Sequence, residues 1–310
     1  MRLVFAGTPA AAIPTLRTLA EAHDIAAVVT RPDAPQGRKR VLTSSPVAQV
    51  AAELGLPTIK AARLDDEATG RITSLRPELG VIVAYGGLVR EPLLSTPDHG
   101  WINLHFSLLP QWRGAAPVQR ALIAGDTDLG ASVFQLVRAL DAGDVFAMRT
   151  VDVPADATAD VALEVLAEDG ARLTADVVAG IADGTAAAHP QEGEATTAPK
   201  LSIEDGALDW NEPVDAVYAR FRGVTPEPGA HTTVGGLRVK ILAATPATVP
   251  TGDAPSLAPG EITATREAIL IGTATRPLAV ARVQPAGKPA MNAPDWWRGL
   301  RADDTLRAGV

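Results

Sequence analysis

The chain has 310 residues, of which 46% are hydrophobic and 21% are charged, and its formal net charge is -8. This composition excludes a disordered or fibrous protein, and the length leaves room for two domains with separate hydrophobic cores. No apolar run approaches the roughly 20 residues of a membrane-spanning helix, the N-terminus lacks a signal-peptide pattern, and the absence of cysteine excludes disulfides and thiol catalysis. We therefore expect a cytoplasmic protein that does not contact a membrane.

The first half of the chain alternates short apolar runs with helix-like segments, which is typical of a mainly parallel sheet covered by helices. The predicted strands cover residues 3–7, 25–30, 57–59, 79–85, 101–105, 131–136 and 145–153, and the predicted helices cover 10–20, 117–125 and 158–182. The last two strands are expected to form an antiparallel edge. The pattern predicts an α/β domain over residues 1–184.

Composition changes after this domain. Residues 185–203 contain small residues, proline and glycine without apolar periodicity, which predicts a linker. Beyond it, a short helix is predicted at 214–222, followed by strand-like runs at 230–234, 237–244, 261–265, 268–273 and 278–284. Short strands separated by glycine or proline turns are typical of a small β-barrel.

An amide and an imidazole stand two residues apart at the end of the predicted strand 101–105. Alternate side chains of a strand point to the same face, so Asn103 and His105 are expected to project together. The carboxyl ends of strands in α/β sheets are where such folds bind ligands. An amide there can donate a hydrogen bond to a developing oxyanion.

The turn LDAGD supplies a carboxylate for the imidazole. Asp141 is the better partner for His105 and Asp144 the weaker one, because a nearby carboxylate fixes the tautomer of an imidazole and stabilises its cation. Asn, His and Asp together suit attack by a nucleophile on a carbonyl, and the chain has no serine in a nucleophile elbow, so direct transfer is favoured. Singly, each residue has an ordinary structural explanation. The chain lacks metal-ligand spacings, so we expect no metal.

Several segments, taken together, resemble the folate-dependent formyltransferases and, among them, the methionyl-tRNA formyltransferase family. They are Val4–Pro9, Arg31–Arg38, Ser44–Val47, Val83–Gly86, Ile102–Leu122, Leu140–Asp144 and Gln284–Met291. The resemblance covers essentially the whole chain. It implies a Rossmann-like formyltransferase domain over residues 1–184 and a smaller OB-like β-barrel domain, which binds tRNA, over residues 204–310.

The resemblance also implies a reaction and a set of site residues. The formyl group of 10-formyltetrahydrofolate, the cosubstrate, would pass to the α-amino group of initiator methionyl-tRNA, and we expect the enzyme to be a monomer. The implied catalytic residues are Asn103, His105 and Asp141. The implied folate-binding residues are Gly86, Gly87, Leu88, Ser107, Leu108, Leu109 and Pro110, and the implied tRNA-binding residues are Arg38, Lys39, Arg40 and Lys200.

Two other functions stay open on the sequence alone. A formyltransferase for a small amine, such as a ribonucleotide or an amino sugar, would use the same Asn103, His105 and Asp141. The basic loop and the second domain argue against it, because a small acceptor needs no such surface. A noncatalytic RNA-binding protein on this scaffold is the other alternative, and it leaves the three polar residues unexplained.

Overall fold

The structure is a computed structural model that describes residues 1–37, 40–248, 257–300 and 306–309. The chain divides into two compact units. The first unit consists of Met1–Pro117, Asp128–Val153 and Leu163–Pro199, and the second of Val118–Thr127, Pro154–Ala162 and Lys200–Val310. No helix in the described ranges has both the length and the apolar character needed to cross a membrane.

In the described part of the chain, eleven strands and five α-helices precede Lys200. In chain order they are β1 (Arg2–Gly7), α1 (Ile13–Ala22), β2 (Asp24–Thr30), β3 (Ala34–Gln36), β4 (Val41–Thr43), α2 (Pro46–Glu53), β5 (Thr58–Lys60), α3 (Asp66–Ser74), β6 (Leu79–Val83), β7 (Trp101–His105), β8 (Arg113–Gly114), α4 (Pro117–Ala124), β9 (Leu129–Gln135), β10 (Val145–Val151), α5 (Ala159–Asp183) and β11 (Thr197–Ala198).

The main sheet of the first unit has the strand order β10-β9-β7-β6-β1-β2-β5. Its strands from β7 to β5 are parallel, while β9 and β10 run antiparallel at one edge, which confirms the predicted fold class. The chain winds outward from β1 through β2 to β5 and then returns with β6 to the other side of β1. Such a reversal opens a crevice at the carboxyl ends of the strands, where α/β sheets bind ligands. Strand β7 ends beside this crevice.

Packing between β6 and β7 fixes the position of β7. Trp101 is fully buried, and its indole N–H donates to the carbonyl of Leu93 at 2.8 Å. Its register partner on β6 is Gly80, where a Cβ would lie 2.1 Å from the indole ring. A side chain at position 80 is therefore incompatible with this ring position, and the glycine lets the two strands pair with Trp101 inside the core.

The remaining elements lie in the second unit. They are α6 (Val214–Gly223), β12 (His231–Val234), β13 (Leu237–Pro246), β14 (Ile262–Ala264), β15 (Ile269–Ile271), β16 (Leu278–Pro285), β17 (Met291–Asn292) and α7 (Ala293–Gly299). The strands form an antiparallel sheet in the order β12-β13-β16-β15-β14, with β17 on β16. Ala308 bridges Val234 of β12, and Arg307 bridges Glu261 next to β14, so the C-terminal residues join both edges of the curled sheet.

The sequence did not predict helices α2, α3 and α7, the hairpin β3–β4 or the two-residue strands β8, β11 and β17. Helix α3 buries only Ala68 and Ile72, so its apolar period is too weak to recognise. Helix α2 begins at Pro46 after the cap Ser45, whose hydroxyl accepts from the amide of Ala48, yet it spans only eight residues. Helix α7 has seven residues, and each strand of the hairpin β3–β4 has three. In the segment predicted to be a linker, β11 pairs with β8.

Candidate active site

The imidazole of His105 lies at the carboxyl end of β7 and is almost closed off from solvent. Its side chain is 6% exposed, and its ring meets the ring of Phe134 on β9 edge-on, with centroids 6.4 Å apart. Nε2 lies 2.9 Å from the main-chain carbonyl of Trp112, and Nδ1 lies 3.9 Å from Oδ2 of Asp141. The structure therefore places the predicted histidine and aspartate side by side.

These contacts define the tautomer of His105. A carbonyl oxygen only accepts hydrogen bonds, so Nε2 carries a proton and donates it to Trp112. In the neutral ring, Nδ1 then holds a lone pair that faces the carboxylate of Asp141. At 3.9 Å the two groups are too far apart for a direct hydrogen bond. Protonation of Nδ1 would convert this repulsive arrangement into an attractive one.

Asp141 is positioned by its backbone as much as by its side chain. Its φ of 46° lies in the left-handed region, which aspartate tolerates better than most residues. Oδ2 accepts a hydrogen bond of 2.8 Å from the amide of Gly114 and faces His105. Asp144, the alternative carboxylate, is exposed. At Gly143 a Cβ would lie 1.8 Å from the carbonyl oxygen of Gln135, so this turn packs directly against the end of β9.

Burial and charge act on His105 in opposite directions. Removal from solvent lowers the pKa of the imidazole, because the charged ring loses its hydration, while the carboxylate of Asp141 raises it. Burial is the larger effect, so the pKa of His105 lies below its ordinary value. The ring is accordingly neutral at physiological pH and able to accept a proton.

The side-chain amide of Asn103 has no hydrogen-bond partner among the described residues. It is half-buried and stands opposite Phe134, so it projects from the same face of the sheet as His105. Within the described ranges its side chain makes no hydrogen bond. Buried amides are ordinarily paired. The N–H groups of Asn103 are therefore available to a ligand at the end of β7.

The loop that follows β7 is fixed to β9 by a buried serine. Ser132 donates to the carbonyl of Ser107 at 2.7 Å and accepts from the amide of Leu109 at 3.1 Å. The hydroxyl of Ser107 in turn donates to the carbonyl of Gln111 at 2.6 Å. Of the predicted folate-binding residues in this loop, Ser107, Leu109 and Pro110 are buried and Leu108 is half-buried.

The other predicted folate-binding residues follow the neighbouring strand β6. Gly86 has a φ of 78°, and its carbonyl accepts from a guanidinium N–H of Arg31 at 2.7 Å. At Gly87 a Cβ would lie 2.4 Å from the ring of Tyr85, so a side chain at this position would clash with that ring. Leu88 is 66% exposed. Because β6 and β7 are parallel neighbours, this segment and His105 lie at the same edge of the sheet.

The predicted tRNA-binding residues lie apart along the chain. Arg38 and Lys39 fall outside the described residues. Arg40 is exposed between β3 and β4 with a φ of 49°. Lys200 is exposed at the start of Lys200–Val310, the last segment of the second unit, and its side chain forms no hydrogen bond with any residue that the structure describes.

Several groups that build this site were missed from the sequence. The carbonyl of Trp112 and the amide of Gly114 are backbone atoms, and their role depends on long-range folding rather than on residue type. Ser132 is a polar residue inside an apolar strand, which is a usable signal. Within the described part of the chain, no group of three or more His, Cys, Asp or Glu residues could hold a metal ion.

The chain is similar to known formyltransferases over most of its length. A family model described as formyl transferase matches residues 1–178, and one described as formyl transferase, C-terminal domain, matches residues 200–301. The methionyl-tRNA formyltransferase of Leifsonia xyli subsp. xyli (strain CTCB07) is 59% identical over 306 residues, which cover 99% of this chain and 100% of that protein. That of Mycolicibacterium gilvum (strain PYR-GCK) is 47% identical over 312 residues, covering 99% and 100%.

Solved structures share the fold at lower identity. The N-formyltransferase from Helicobacter canadensis in complex with folinic acid and dTDP-3-aminofucose has a TM-score of 0.68 and 14% identity, covering 90% of this chain and 98% of that one. The methionyl-tRNA formyltransferase from Clostridium thermocellum has a TM-score of 0.57 and 16% identity, covering 82% and 95%. At these identities the likeness to solved structures shows the fold alone.

The arrangement of His105 predicts its titration. We expect its pKa below about 6.5, and lower still in Asp141→Asn, because asparagine keeps an acceptor for Gly114 but removes the charge that favours the imidazolium. The unfolded state then binds more protons as the pH falls through this range, so His105 lowers the free energy of unfolding in acid. Histidine NMR titration, with His105→Gln to assign the signal, measures this directly. A midpoint at or above the ordinary value, or an upward shift in Asp141→Asn, would contradict the account.

Proposed function

Because this chain belongs to the methionyl-tRNA formyltransferases of the formyl transferase family, we propose that it transfers the formyl group of 10-formyltetrahydrofolate to the α-amino group of initiator methionyl-tRNA. The main support for the mechanism is the buried His105–Asp141 pair at the carboxyl end of β7. Beside it lies the amide of Asn103, for which the described part of the chain offers no hydrogen-bond partner. This set can bind an oxyanion and move a proton without a metal.

Attack by the α-amino nitrogen on the formyl carbon turns the formyl oxygen into an oxyanion. Asn103 donates a hydrogen bond to that oxygen, and its amide has no competing partner within the described residues. A free α-amino group has a pKa of about 7.7 to 8.0, so a useful fraction is neutral near physiological pH. Orientation and charge stabilisation therefore contribute more than deprotonation of the nucleophile.

His105 begins as the base in this proposal. The neutral ring accepts at Nδ1 the proton that the amine loses on forming its bond to carbon. Asp141, which faces Nδ1, stabilises the resulting imidazolium. The proton then passes to the folate nitrogen as the bond between that nitrogen and the formyl carbon breaks. One proton leaves the amine and one reaches the leaving nitrogen, so the transfer is balanced.

The folate donor is proposed to bind between the segment after β6 and the loop after β7. Gly86, Gly87 and Leu88 present backbone groups and one exposed apolar side chain at this edge. Ser107, Leu108, Leu109 and Pro110 form the facing loop. Support comes from the folinic acid in the Helicobacter canadensis protein and from the tetrahydrofolic acid in HypX from Aquifex aeolicus, which has a TM-score of 0.60 to this chain.

The tRNA is proposed to contact both units through basic residues. In the sequence, Arg38, Lys39 and Arg40 come between β3 and β4, and Lys200 begins the last segment of the second unit. A net charge of -8 does not oppose this, because recognition of a polyanion depends on local clusters of positive charge.

Further support for a tRNA surface comes from the curled sheet of the second unit. A cavity of about 370 Å³ there is lined by Arg238, Lys240 and Gln284 on β13 and β16. The Nε of Arg238 is buried and has no hydrogen-bond partner within the described residues. Two cations at a concave surface favour a phosphate group as the ligand.

The reaction predicts a large loss in two variants. Loss of an oxyanion donor or of the base lowers the rate by roughly 100-fold to 1000-fold, so we expect this loss of single-turnover formylation of initiator methionyl-tRNA in Asn103→Ala and in His105→Ala. The control is His99→Ala, because His99 is exposed and its ring makes no hydrogen bond in the described ranges. Wild-type protein that formylates a small amine but not methionyl-tRNA would overturn the proposed acceptor. RNA binding without any formyl transfer would overturn the enzyme.

The exposed Arg40 predicts a salt-dependent contribution to tRNA binding. Arg40→Ala should weaken binding of methionyl-tRNA and reduce the slope of log affinity against log salt by about 1, because one phosphate contact is lost. Arg76→Ala is a matched control, since Arg76 is also an exposed arginine of the first unit with a φ of 49°. Binding isotherms at several salt concentrations measure both quantities. Equal slopes for the wild type and Arg40→Ala would remove Arg40 from the interface.

A further inference from the structure

Residues 189–198, here called the strap, are attached to the first unit at both ends. At the start, His189 and Val145 exchange two main-chain hydrogen bonds of 2.8 and 3.0 Å. At the end, Thr197 and Ala198 of β11 pair with β8. The strap is therefore a bound segment of the unit that contains His105, although its sequence resembles a linker.

Gln191 is the strap residue that reaches the turn of the catalytic aspartate. Its Nε2 donates to the main-chain carbonyls of Asp141 at 2.9 Å and Gly143 at 2.8 Å. Its Oε1 accepts two hydrogen bonds from the guanidinium of Arg113, at 3.1 and 2.6 Å. Both N–H donors and both oxygen lone pairs of this half-buried amide are therefore directed at these two sites.

The two sites joined by Gln191 bracket His105. On one side lies the turn that holds Asp141 in a left-handed backbone conformation. On the other side Arg113 stands between Trp112, whose carbonyl accepts from the imidazole, and Gly114, whose amide donates to the carboxylate. A displacement of the turn relative to β8 would therefore change the distance between Asp141 and the ring. Gln191 connects both parts by four hydrogen bonds.

A second strap residue fixes the same loop. The hydroxyl of Thr196 accepts from the amide of Trp112 at 2.8 Å and donates to the side chain of Gln111 at 2.8 Å. The amide of Arg113 donates to the carbonyl of Thr196 at 2.9 Å. The loop that carries the Trp112 carbonyl is thus already held from the strap, whereas Gln191 is the strap side chain that bonds the Asp141 turn.

We propose that Gln191 is a positioning residue for formyl transfer, which acts by holding the Asp141 turn against Arg113 so that the carboxylate faces Nδ1 of His105. This inference rests on the proposed function of the His105–Asp141 pair. Gln191 itself touches no reacting atom in this account.

Two variants separate positioning from simple attachment of the strap. Gln191→Glu keeps an acceptor for Arg113 but removes the donor to the two carbonyls, whereas Gln191→Met removes both functions at similar length. We expect kcat for methionyl-tRNA to fall by roughly 10-fold to 100-fold in both variants, with KM little changed. Glu192→Met is the control, because Glu192 is the exposed neighbour of Gln191 in the strap, and it should keep wild-type kcat.

The pKa of His105 provides a readout that does not depend on turnover. Asp141 is the charged group that acts on the ring, and the other polar contact is the carbonyl of Trp112. Gln191→Met lets the carboxylate move away, so the pKa of His105 should fall below its wild-type value in a histidine NMR titration, while Glu192→Met leaves it unchanged. Gln191→Met leaves the charge of the protein unchanged, so a shift in the pKa of His105 reports a change in the position of Asp141.

The outcomes are distinguishable. Wild-type kcat in Gln191→Glu would show that only the attachment to Arg113 matters and would overturn the inference. An unchanged pKa of His105 in folded Gln191→Met would overturn it as well. An inactive wild-type protein would instead refute the proposed function, and the titration would still decide whether Gln191 positions Asp141.

Discussion

At the end of β7, an imidazole and a carboxylate face each other across 3.9 Å in a setting that excludes most solvent. The neutral imidazole presents a lone pair to this carboxylate, whereas the imidazolium would present an N–H donor and a positive charge. Asp141 therefore favours the protonated ring, and this attraction is gained when His105 accepts a proton during the reaction.

Segments from separate parts of the chain hold this pair in place. Strand β7 supplies His105, and β9 covers the ring with Phe134. The turn after β9 supplies Asp141, and β8 supplies the amide of Gly114. The strap then ties the turn to β8. Apart from the contact between Gln191 and Arg113, the hydrogen bonds that hold this pair end on backbone groups, which restrict motion more effectively than long surface ion pairs do. A rigid site of this kind can keep the side-chain amide of Asn103 available until a substrate binds at the carboxyl end of β7.

Residue patterns predicted those features of the fold that depend on local order. The apolar runs of β1, β2, β6 and β7 are buried on both faces, so they read as continuous strands, and the antiparallel edge β9–β10 follows from its two adjacent runs. The site was predicted in part for a similar reason. Asn103 and His105 are two residues apart on one strand, and a glycine-containing turn marks Asp141.

What the sequence did not reveal depends on contacts between distant residues. Gln191 lies 50 positions from Asp141, and nothing in its neighbourhood distinguishes it from other polar residues of a proline-rich segment. The carbonyl of Trp112 carries no sequence signal at all, because every residue has one. Helix α3 buries only Ala68 and Ile72, and helix α2 spans only eight residues, so neither gives a clear helical period, and both acquire their stability from tertiary packing.

A double-mutant cycle between His105 and Asp141 tests the central claim most directly, because the claim is that the carboxylate acts only through the imidazole. Single-turnover formylation rates are measured for the wild type, His105→Ala, Asp141→Asn and the double variant. If the two residues act as one unit, the double variant will be within about threefold of His105→Ala alone. If the two losses multiply instead, Asp141 acts independently of His105, and the account of the site is wrong.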